Sequence, residues 1–258
     1  MNTQTKNMPN NIRTAQQAAA LLTGICFADR PECGICVIDT TATPTNSEEL
    51  ALSVVSKELS LHQKLLYTHD CNGAPFVYNT ETGSEVPLLI SVSDEDELLC
   101  LTWAMETSAN TPDSTQISGI GIDLASRGCY TNLLDEEQVL RHMFFDSELT
   151  WVHEHFSDDL DQGLTLLLSV KEAAFKSAAC AAHRAGLKAP EDVYFEFRGL
   201  EVVPDKEAPV QTECLTFTAK GTNHAGDSVT GLLKAGISQI LVHTVYYDKG
   251  VLALAQAY

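Results

Sequence analysis

The 258-residue sequence has few positive charges. It contains 16 lysines and arginines against 35 aspartates and glutamates, which gives a formal net charge of −19 at pH 7. Nucleic acids and anionic membrane surfaces attract basic proteins, so this balance argues against either as the main partner. A polyanionic ligand would need a local basic pocket in such a chain.

Long apolar runs are also absent from the sequence. The start, Met1–Lys6, leads into no apolar core of the kind that a signal peptide requires. The apolar stretch at residues 18–27 is short and interrupted, and no run reaches the roughly 18 residues needed to span a membrane. We therefore expect a cytoplasmic protein whose eight cysteines are reduced thiols.

Residues at metal-ligand spacing are few. Cys33 and Cys36 form a lone Cys-x-x-Cys pair, and no second pair or histidine set follows closely enough for a zinc site. We interpret them as core thiols, with a redox or metal site as the alternative. His153 and His155 are two residues apart in a predicted helix, which places them on different faces. The four acids at 94–97 are interpreted as a solvated hairpin tip, with a cation-binding loop as the alternative.

Apolar periodicity and turn signals predict two halves, each with a helix first and antiparallel strands after it. A polar, proline-containing stretch at 106–116 separates residues 1–116 from residues 117–258. The predicted helices are 14–22, 47–66, 134–155 and 169–185, and the predicted strands are 33–39, 76–78, 88–93, 98–103, 117–124, 193–197, 214–218, 238–246 and 251–255. This order suggests an α+β fold built from a duplicated unit.

The stretch Ser169–Lys176 places two cations and a carboxylate on an alanine-rich helix. Ser169 is a favourable N-cap residue, Ser-x-x-Glu is the capping-box pattern, and Gly186 fits the C-terminal stop. Glu172 and Lys176 are four residues apart and therefore lie side by side. The stretch belongs either to an active site or to a capped core helix.

A second acid, Asp123, ends a predicted strand whose small residues permit close backbone approach. If Asp123 meets Glu172, two carboxylates face Lys171 and Lys176, and this set suits Mg²⁺ with a pyrophosphate. In the structural alternative, Glu172 caps its helix, both lysines are solvated, and Asp123 merely ends its strand. The residues alone leave both interpretations open.

Three segments in this order resemble the signature of the phosphopantetheinyl transferases, of the holo-acyl-carrier-protein synthase type. They are Gly119-Ile-Gly-Ile-Asp123, Phe144–Leu149 and Ser169–Lys176. Fainter likeness lies upstream, where Asn72–Pro75 stands in place of Gly-Lys-Pro and Ile90–Ser93 in place of Ile-Ser-His-Ser. The resemblance implies a pseudo-dimer of two similar sub-domains, each an antiparallel sheet packed on a long helix, with coenzyme A between them.

The resemblance also implies a reaction. Asp123 and Glu172 would hold Mg²⁺ against the coenzyme A pyrophosphate, and Glu172 would take the proton from a serine of an acyl or peptidyl carrier protein. The serine oxygen then attacks the β-phosphorus, and 3′,5′-adenosine bisphosphate leaves. Lys171 and Lys176 would offset the phosphate charge, and Ser93 would contact coenzyme A. As a pseudo-dimer, the chain is expected to act as a monomer.

Three positions depart from the family pattern. Ala125 stands where two-domain members carry a second acid, while Ala74 and Val92 replace a lysine and a histidine used around the coenzyme A phosphates. Arg127, Arg184 and Lys188 are candidates to replace these phosphate contacts. Arg127, Arg141 and Arg184 are candidates for a basic patch that faces an acidic carrier protein. The departures also motivate an alternative function, a homologue that binds coenzyme A or a partner protein without catalysis.

Overall fold

The computed structural model describes residues 13–41, 46–105, 116–128, 137–187, 199–205, 214–221 and 232–258. Its helices are α1 (Ala15–Cys26), α2 (Ser47–Glu58), α3 (Glu137–Met143), α4 (Asp146–His155) and α5 (Leu160–Arg184). Its strands are β1 (Cys33–Asp39), β2 (Leu65–His69), β3 (Pro75–Asn79), β4 (Ser84–Glu85), β5 (Leu88–Glu95), β6 (Leu98–Met105), β7 (Gly119–Ser126), β8 (Leu200–Pro204), β9 (Leu215–Gly221), β10 (Ile240–Tyr246) and β11 (Gly250–Ala257). Residues 106–115 of the linker predicted at 106–116, and the predicted strand at 193–197, lie outside the described residues.

The described strands form three antiparallel sheets, with the orders β1-β6-β5, β2-β3-β4 and β7-β11-β10-β9-β8. The predicted mixture of helices and antiparallel strands is confirmed, and so is the β5–β6 hairpin. The first half holds two small sheets where one was expected. The helix predicted for 47–66 was too long, because α2 ends at Glu58 and β2 begins at Leu65.

Side chains join the edges of two sheets. Strands β5 and β7 are each at an edge of their own sheet. The hydroxyl of Ser91 accepts a hydrogen bond from the backbone N–H of Ile122 at 3.1 Å, and that of Ser93 accepts one from Leu124 at 3.1 Å. An edge strand otherwise leaves such N–H groups unpaired, which is costly when they are buried. Ser91 and Ser93 of β5 therefore satisfy two backbone N–H groups of β7 and link the two sheets.

Helix α5 begins nine residues before the predicted start at Ser169. Its N-cap is Asp159, whose side chain accepts from the backbone N–H of Gln162 at 3.2 Å. Ser169 is fully buried in mid-helix, so the predicted capping box with Glu172 is wrong. The Ser-x-x-Glu pattern does not start the helix, because a run of buried leucines before Ser169 packs on the sheet and extends the helix toward its N-terminus.

The C-terminal stop of α5 is confirmed. Gly186 has a φ of +81°, a conformation that glycine adopts without steric cost. Its N–H bonds to the carbonyl of His183 and that of Leu187 to the carbonyl of Ala182, both at 3.0 Å. This is the Schellman pattern, which satisfies carbonyls at the end of the helix.

The helix predicted over residues 134–155 is interrupted. In the described part, α3 ends at Met143 and α4 begins at Asp146. The side chain of Glu148 accepts from the backbone N–H of Phe145 at 2.8 Å, which satisfies a donor at the start of α4. The break therefore has its own hydrogen bond, and it places Glu148 in the protein interior.

Strand β7 passes very close to α5 because two of its residues have no side chain. A Cβ atom at Gly121 would overlap the carbonyl oxygen of Ala173, and one at Gly119 would overlap that of Ser177. The hydroxyl of Ser177 also donates to the Gly119 carbonyl at 3.0 Å. The close backbone approach predicted from the small residues is confirmed.

Three hydrophobic clusters fill the described part of the chain. One lies in the second half, between α5 and the five-stranded sheet, and another lies in the first half beneath α2. The third combines Leu22 and Phe27, from the first half, with Ile120 and Leu252 from the second. The predicted boundary between residues 116 and 117 thus separates elements that share a core, and the division into two sub-domains stays a prediction.

The structure places Cys33 and Cys36 on opposite faces of β1. Cys33 packs in the cluster under α1, and Cys36 packs against the one under α2. Burial raises the pKa of Cys33 to about 11 and also raises that of Cys36. This arrangement favours core thiols, and no cysteine in the described ranges forms a disulfide. None of the helices in these ranges combines the length and the hydrophobicity that a membrane crossing requires.

We expect Gly121→Ala to lower the free energy of unfolding by about 1–3 kcal/mol, because the added methyl group overpacks the contact with α5. Urea denaturation measures the change. Gly24→Ala in α1 is the matched control: its Cβ meets no atom within 4 Å, so we expect a gain of about 0.5–1 kcal/mol. Unchanged stability of Gly121→Ala would contradict the close approach.

Candidate active site

Asp123 lies inside β7 rather than at its end. The residue is only 3% exposed. Its Oδ1 accepts hydrogen bonds from the Ser93 hydroxyl and from the Lys176 ammonium, each at 3.1 Å. Asp123 is therefore held from two sides, by β5 of the first half and by α5 of the second.

Helix α5 brings Glu172 and Lys176 to Asp123. The Lys176 Nζ lies 3.1 Å from Asp123 Oδ1 and 3.8 Å from Glu172 Oε1, and it donates to the Ile122 carbonyl at 3.0 Å. The Glu172 side chain is 41% exposed, against 5% for that of Asp123. The structural alternative, in which Glu172 caps its helix, is wrong. Two carboxylates meet one ammonium, and Glu172 forms the solvent-facing side of the group.

The charges of this group act on one another. Burial raises the pKa of Glu172, the Asp123 carboxylate raises it further, and the Lys176 ammonium opposes both effects. A carboxylate with a raised pKa is a stronger base than free glutamate. Glu172 therefore has an environment suited to accepting a proton.

One carboxylate oxygen of Asp123 accepts no hydrogen bond from the described residues. Its Oδ2 is buried and has no hydrogen-bond partner among the described residues. A buried carboxylate oxygen without a partner carries a desolvation cost that a bound cation would remove. Mg²⁺ is held in proteins by one or two carboxylates together with waters and substrate phosphates, and Asp123 and Glu172 are ligands of this chemical type. No group of three or more potential metal-binding side chains occurs in the described ranges.

Ser93 acts on Asp123. Its hydroxyl accepts from the backbone N–H of Leu124 and donates its single proton to Asp123 Oδ1. That proton is then not available for a phosphate oxygen. The structure thus places Ser93 next to Asp123, and its contact with coenzyme A stays a prediction.

Lys171 is not part of this group. Its side chain is completely buried, and its Nζ donates to both oxygens of Glu148 at 3.0 Å and to the Leu200 carbonyl at 2.6 Å. The interpretation of Lys171 as a solvated cation is wrong, and its ammonium has no exposed surface for the expected phosphate contact. Residues five apart lie on different faces of a helix, which separates Lys171 from Lys176.

Glu148 is the buried ion-pair partner of Lys171, a role that the sequence did not reveal. It also accepts from the backbone N–H of Val202 at 2.7 Å, so it links α4, α5 and β8. Burial raises the pKa of Glu148, while Lys171 and the backbone N–H groups of Val202 and Phe145 lower it. The resemblance included Glu148 within Phe144–Leu149, but burial of both charges appears only in the folded structure.

A second buried polar cluster joins the end of α5 to the β2-β3-β4 sheet. The His183 ring nitrogens lie 2.8 Å from Asp70 Oδ2 and 3.2 Å from Glu85 Oε1, and the ring stacks on Phe76 at 4.6 Å. Arg184 donates to Glu85 at 2.5 Å. The cluster docks the small sheet on α5, and it occupies Arg184, one of the expected phosphate contacts.

The other expected basic contacts also meet acids. Arg127 forms an ion pair with Asp159, and Arg141 lies 3.4 Å from Asp146. Lys188 lies outside the described residues. The basic patch predicted for a carrier protein is therefore made of arginines that already face carboxylates.

Glu95 is an acid near this group whose environment the sequence analysis misjudged. It was interpreted as part of a solvated hairpin tip, but it is half-buried at the end of β5, on the face that carries Ser91 and Ser93. Burial and then Asp96 raise the pKa of Glu95, hydrogen bonding from Ser126 lowers it, and Asp123 raises it slightly further. Its charge also raises the pKa of Glu172. The alternation along β5 is the sequence signal that could have identified it.

Three cavities lie away from this group. One of about 540 Å³ is bounded by α3, α4 and the start of α5, and others of about 360 and 520 Å³ border β8–β9 and β9–β10. Asp123, Glu172 and Lys176 line none of the three.

We expect Lys171→Met to lower the free energy of unfolding by about 3–5 kcal/mol, because it leaves the Glu148 carboxylate buried without its cation. Adding Glu148→Gln removes that charge and should recover most of the loss in urea denaturation. Lys57→Met, at an exposed position of α2, should change stability by less than about 0.5 kcal/mol. A small effect of Lys171→Met would contradict the buried ion pair.

Comparison with known proteins gives little beyond these residues. No protein-family model matches the chain. No curated protein matches it. Among solved structures, the chain is similar to the crystal structure of holo-ACP-synthase from Plasmodium yoelii, with 19% identity over 55% of this chain and 94% of that one, and with a TM-score of 0.37. A TM-score this low decides neither the fold nor the activity of this chain.

Proposed function

We propose that this protein is a Mg²⁺-dependent transferase that moves 4′-phosphopantetheine from coenzyme A to a serine of an acyl or peptidyl carrier protein. One observation carries the proposal: Lys176 on α5 contacts the carboxylates of both Asp123 on β7 and Glu172 on α5, and the second oxygen of Asp123 has no hydrogen-bond partner among the described residues. These residues come from Gly119–Asp123 and Ser169–Lys176, the segments that resemble the phosphopantetheinyl transferase signature.

The donor set suits the metal and the diphosphate. Asp123 and Glu172 would hold Mg²⁺, which when bound neutralises charge on the pyrophosphate of coenzyme A. Phosphoryl transfer depends mainly on positioning and on charge stabilisation, and the proposed site supplies both with few groups. Ala125 leaves the site with two carboxylate ligands, so water and phosphate oxygens complete the coordination.

Glu172 is the proposed general base. Its partial exposure lets a carrier serine approach, and its raised pKa suits proton transfer. The serine oxygen forms a bond to the β-phosphorus, the bond to 3′,5′-adenosine bisphosphate breaks, and the serine proton passes to Glu172. Lys176, whose side chain is 24% exposed, offsets negative charge on the reacting phosphates.

Lys171 has a structural role in this proposal. Its ion pair with Glu148 anchors the opposite face of α5 to α4 and β8. It therefore supports the position of Glu172 and Lys176 without touching a ligand.

A second candidate function is coenzyme A or partner-protein binding without turnover. It is favoured by the surroundings of the expected phosphate contacts, where Ala74 is buried and Arg127 and Arg184 pair with carboxylates. Titration calorimetry separates the two candidates. Tight coenzyme A binding with no transfer to a carrier would support the second.

We expect Glu172→Gln to reduce the rate of carrier loading by about 10²–10⁴-fold, because it removes both the base and a metal ligand. The measurement is the mass gain of a carrier protein incubated with coenzyme A and Mg²⁺. Glu49→Gln, an exposed glutamate on α2, is the control and should load at the wild-type rate.

The proposal fails if the wild-type protein modifies none of several carriers that a known transferase modifies under the same conditions. It also fails if Glu172→Gln retains the wild-type rate, since the chemistry would then lie elsewhere.

A further inference from the structure

Two serines of β5 perform the same structural task, but only one of them touches the site. The Ser91 hydroxyl accepts from the Ile122 N–H, and the Ser93 hydroxyl accepts from the Leu124 N–H, each at 3.1 Å. Both residues are buried. Ser93 additionally donates to Asp123 Oδ1 at 3.1 Å. A comparison of the two serines therefore separates the effect of a hydrogen bond between the sheets from the effect of a hydrogen bond to Asp123.

The hydrogen bonds to Asp123 are one-sided. Ser93 and Lys176 both donate to Oδ1, while Oδ2 has no partner among the described residues. Turning the carboxylate out of this plane would break both bonds and leave the buried Ser93 hydroxyl without an acceptor. The two donors therefore hold the carboxylate with Oδ2 as the oxygen that remains for a ligand.

Ser93 is a more rigid donor than Lys176. Its hydroxyl is fixed on the other side by the Leu124 N–H, so its position follows from the contact between the two strands. Lys176 has a long, partly exposed side chain that also reaches Ile122 and Glu172. A donor held by the backbone defines the orientation of Asp123 more closely than a flexible ammonium does.

We infer that Ser93 is a positioning residue that presents Asp123 Oδ2 to a divalent cation, and that the contact between β5 and β7 is thereby part of the metal site. The inference rests on the proposed function, since it assigns the cation to Asp123 and Glu172. It changes the role expected for Ser93 from a contact with coenzyme A to the orientation of an acid. Removing the hydrogen-bond partner of a metal ligand typically weakens metal binding by about 10–100-fold.

The test compares Ser93→Ala with Ser91→Ala, with Mn²⁺ as the probe and no coenzyme A or carrier present. Electron paramagnetic resonance of free Mn²⁺ gives the dissociation constant for each protein. Both variants lose one acceptor for a β7 N–H and should lose stability in urea, Ser93→Ala more than Ser91→Ala because its bond to Asp123 is lost as well. We expect Ser93→Ala to bind Mn²⁺ about tenfold more weakly or worse, and Ser91→Ala to stay within about threefold of wild type.

Two further variants complete the comparison. Ser93→Thr keeps the hydroxyl and should bind Mn²⁺ like the wild type. If Ser93→Ala does not fold, the isosteric pair Ser93→Thr and Ser93→Val isolates the hydroxyl in the same way. Equal Mn²⁺ affinities for Ser93→Ala and Ser91→Ala, or for the Thr and Val variants, would overturn the inference.

The outcome also separates this inference from the proposed function. If Asp123→Asn abolishes Mn²⁺ binding and the wild type loads a carrier, but Ser93→Ala binds Mn²⁺ normally, only the role of Ser93 is wrong. If the wild-type protein binds no Mn²⁺ at millimolar concentration, the metal site and the inference fail together.

Discussion

The carboxylate of Asp123, hydrogen-bonded to both β5 and α5, is the constraint on which the geometry of the candidate site depends. It accepts one hydrogen bond from β5 and another from α5, and it lies on β7, the strand that packs between them. This geometry requires β7 to approach α5 closely, which Gly119 and Gly121 allow. It also requires β5 to lie along β7, which the serine hydroxyls stabilise. The same contacts therefore determine both the packing of the sheets and the geometry of the site.

The two lysines of α5 show how burial divides similar residues between structure and chemistry. Lys171 meets Glu148 and a backbone carbonyl in the interior, where an unpaired charge would be very costly. Lys176 meets two carboxylates with different exposures, so its charge remains accessible to a ligand. Helical geometry separates the two ammonium groups, although both belong to one short motif.

The acidic composition has a local consequence. Arg127, Arg141 and Arg184 all face carboxylates in the described structure. An incoming phosphate would have to compete with these acids for each guanidinium, and charge-assisted hydrogen bonds are strong enough for that competition to matter. Under the proposed function, phosphate affinity therefore depends on Lys176 and the metal more than on the arginines.

Local patterns in the sequence determined most of the strands, the C-terminal stop at Gly186, the close approach of β7 and the pairing of Glu172 with Lys176. These features depend on neighbours within a few residues or on side-chain size. The tertiary structure alone decided the burial of Ser169 in mid-helix, the burial of Lys171 against Glu148, and the bond from Ser93 to Asp123. Each of these depends on desolvation or on contacts between residues far apart in the chain, and local propensity does not encode either.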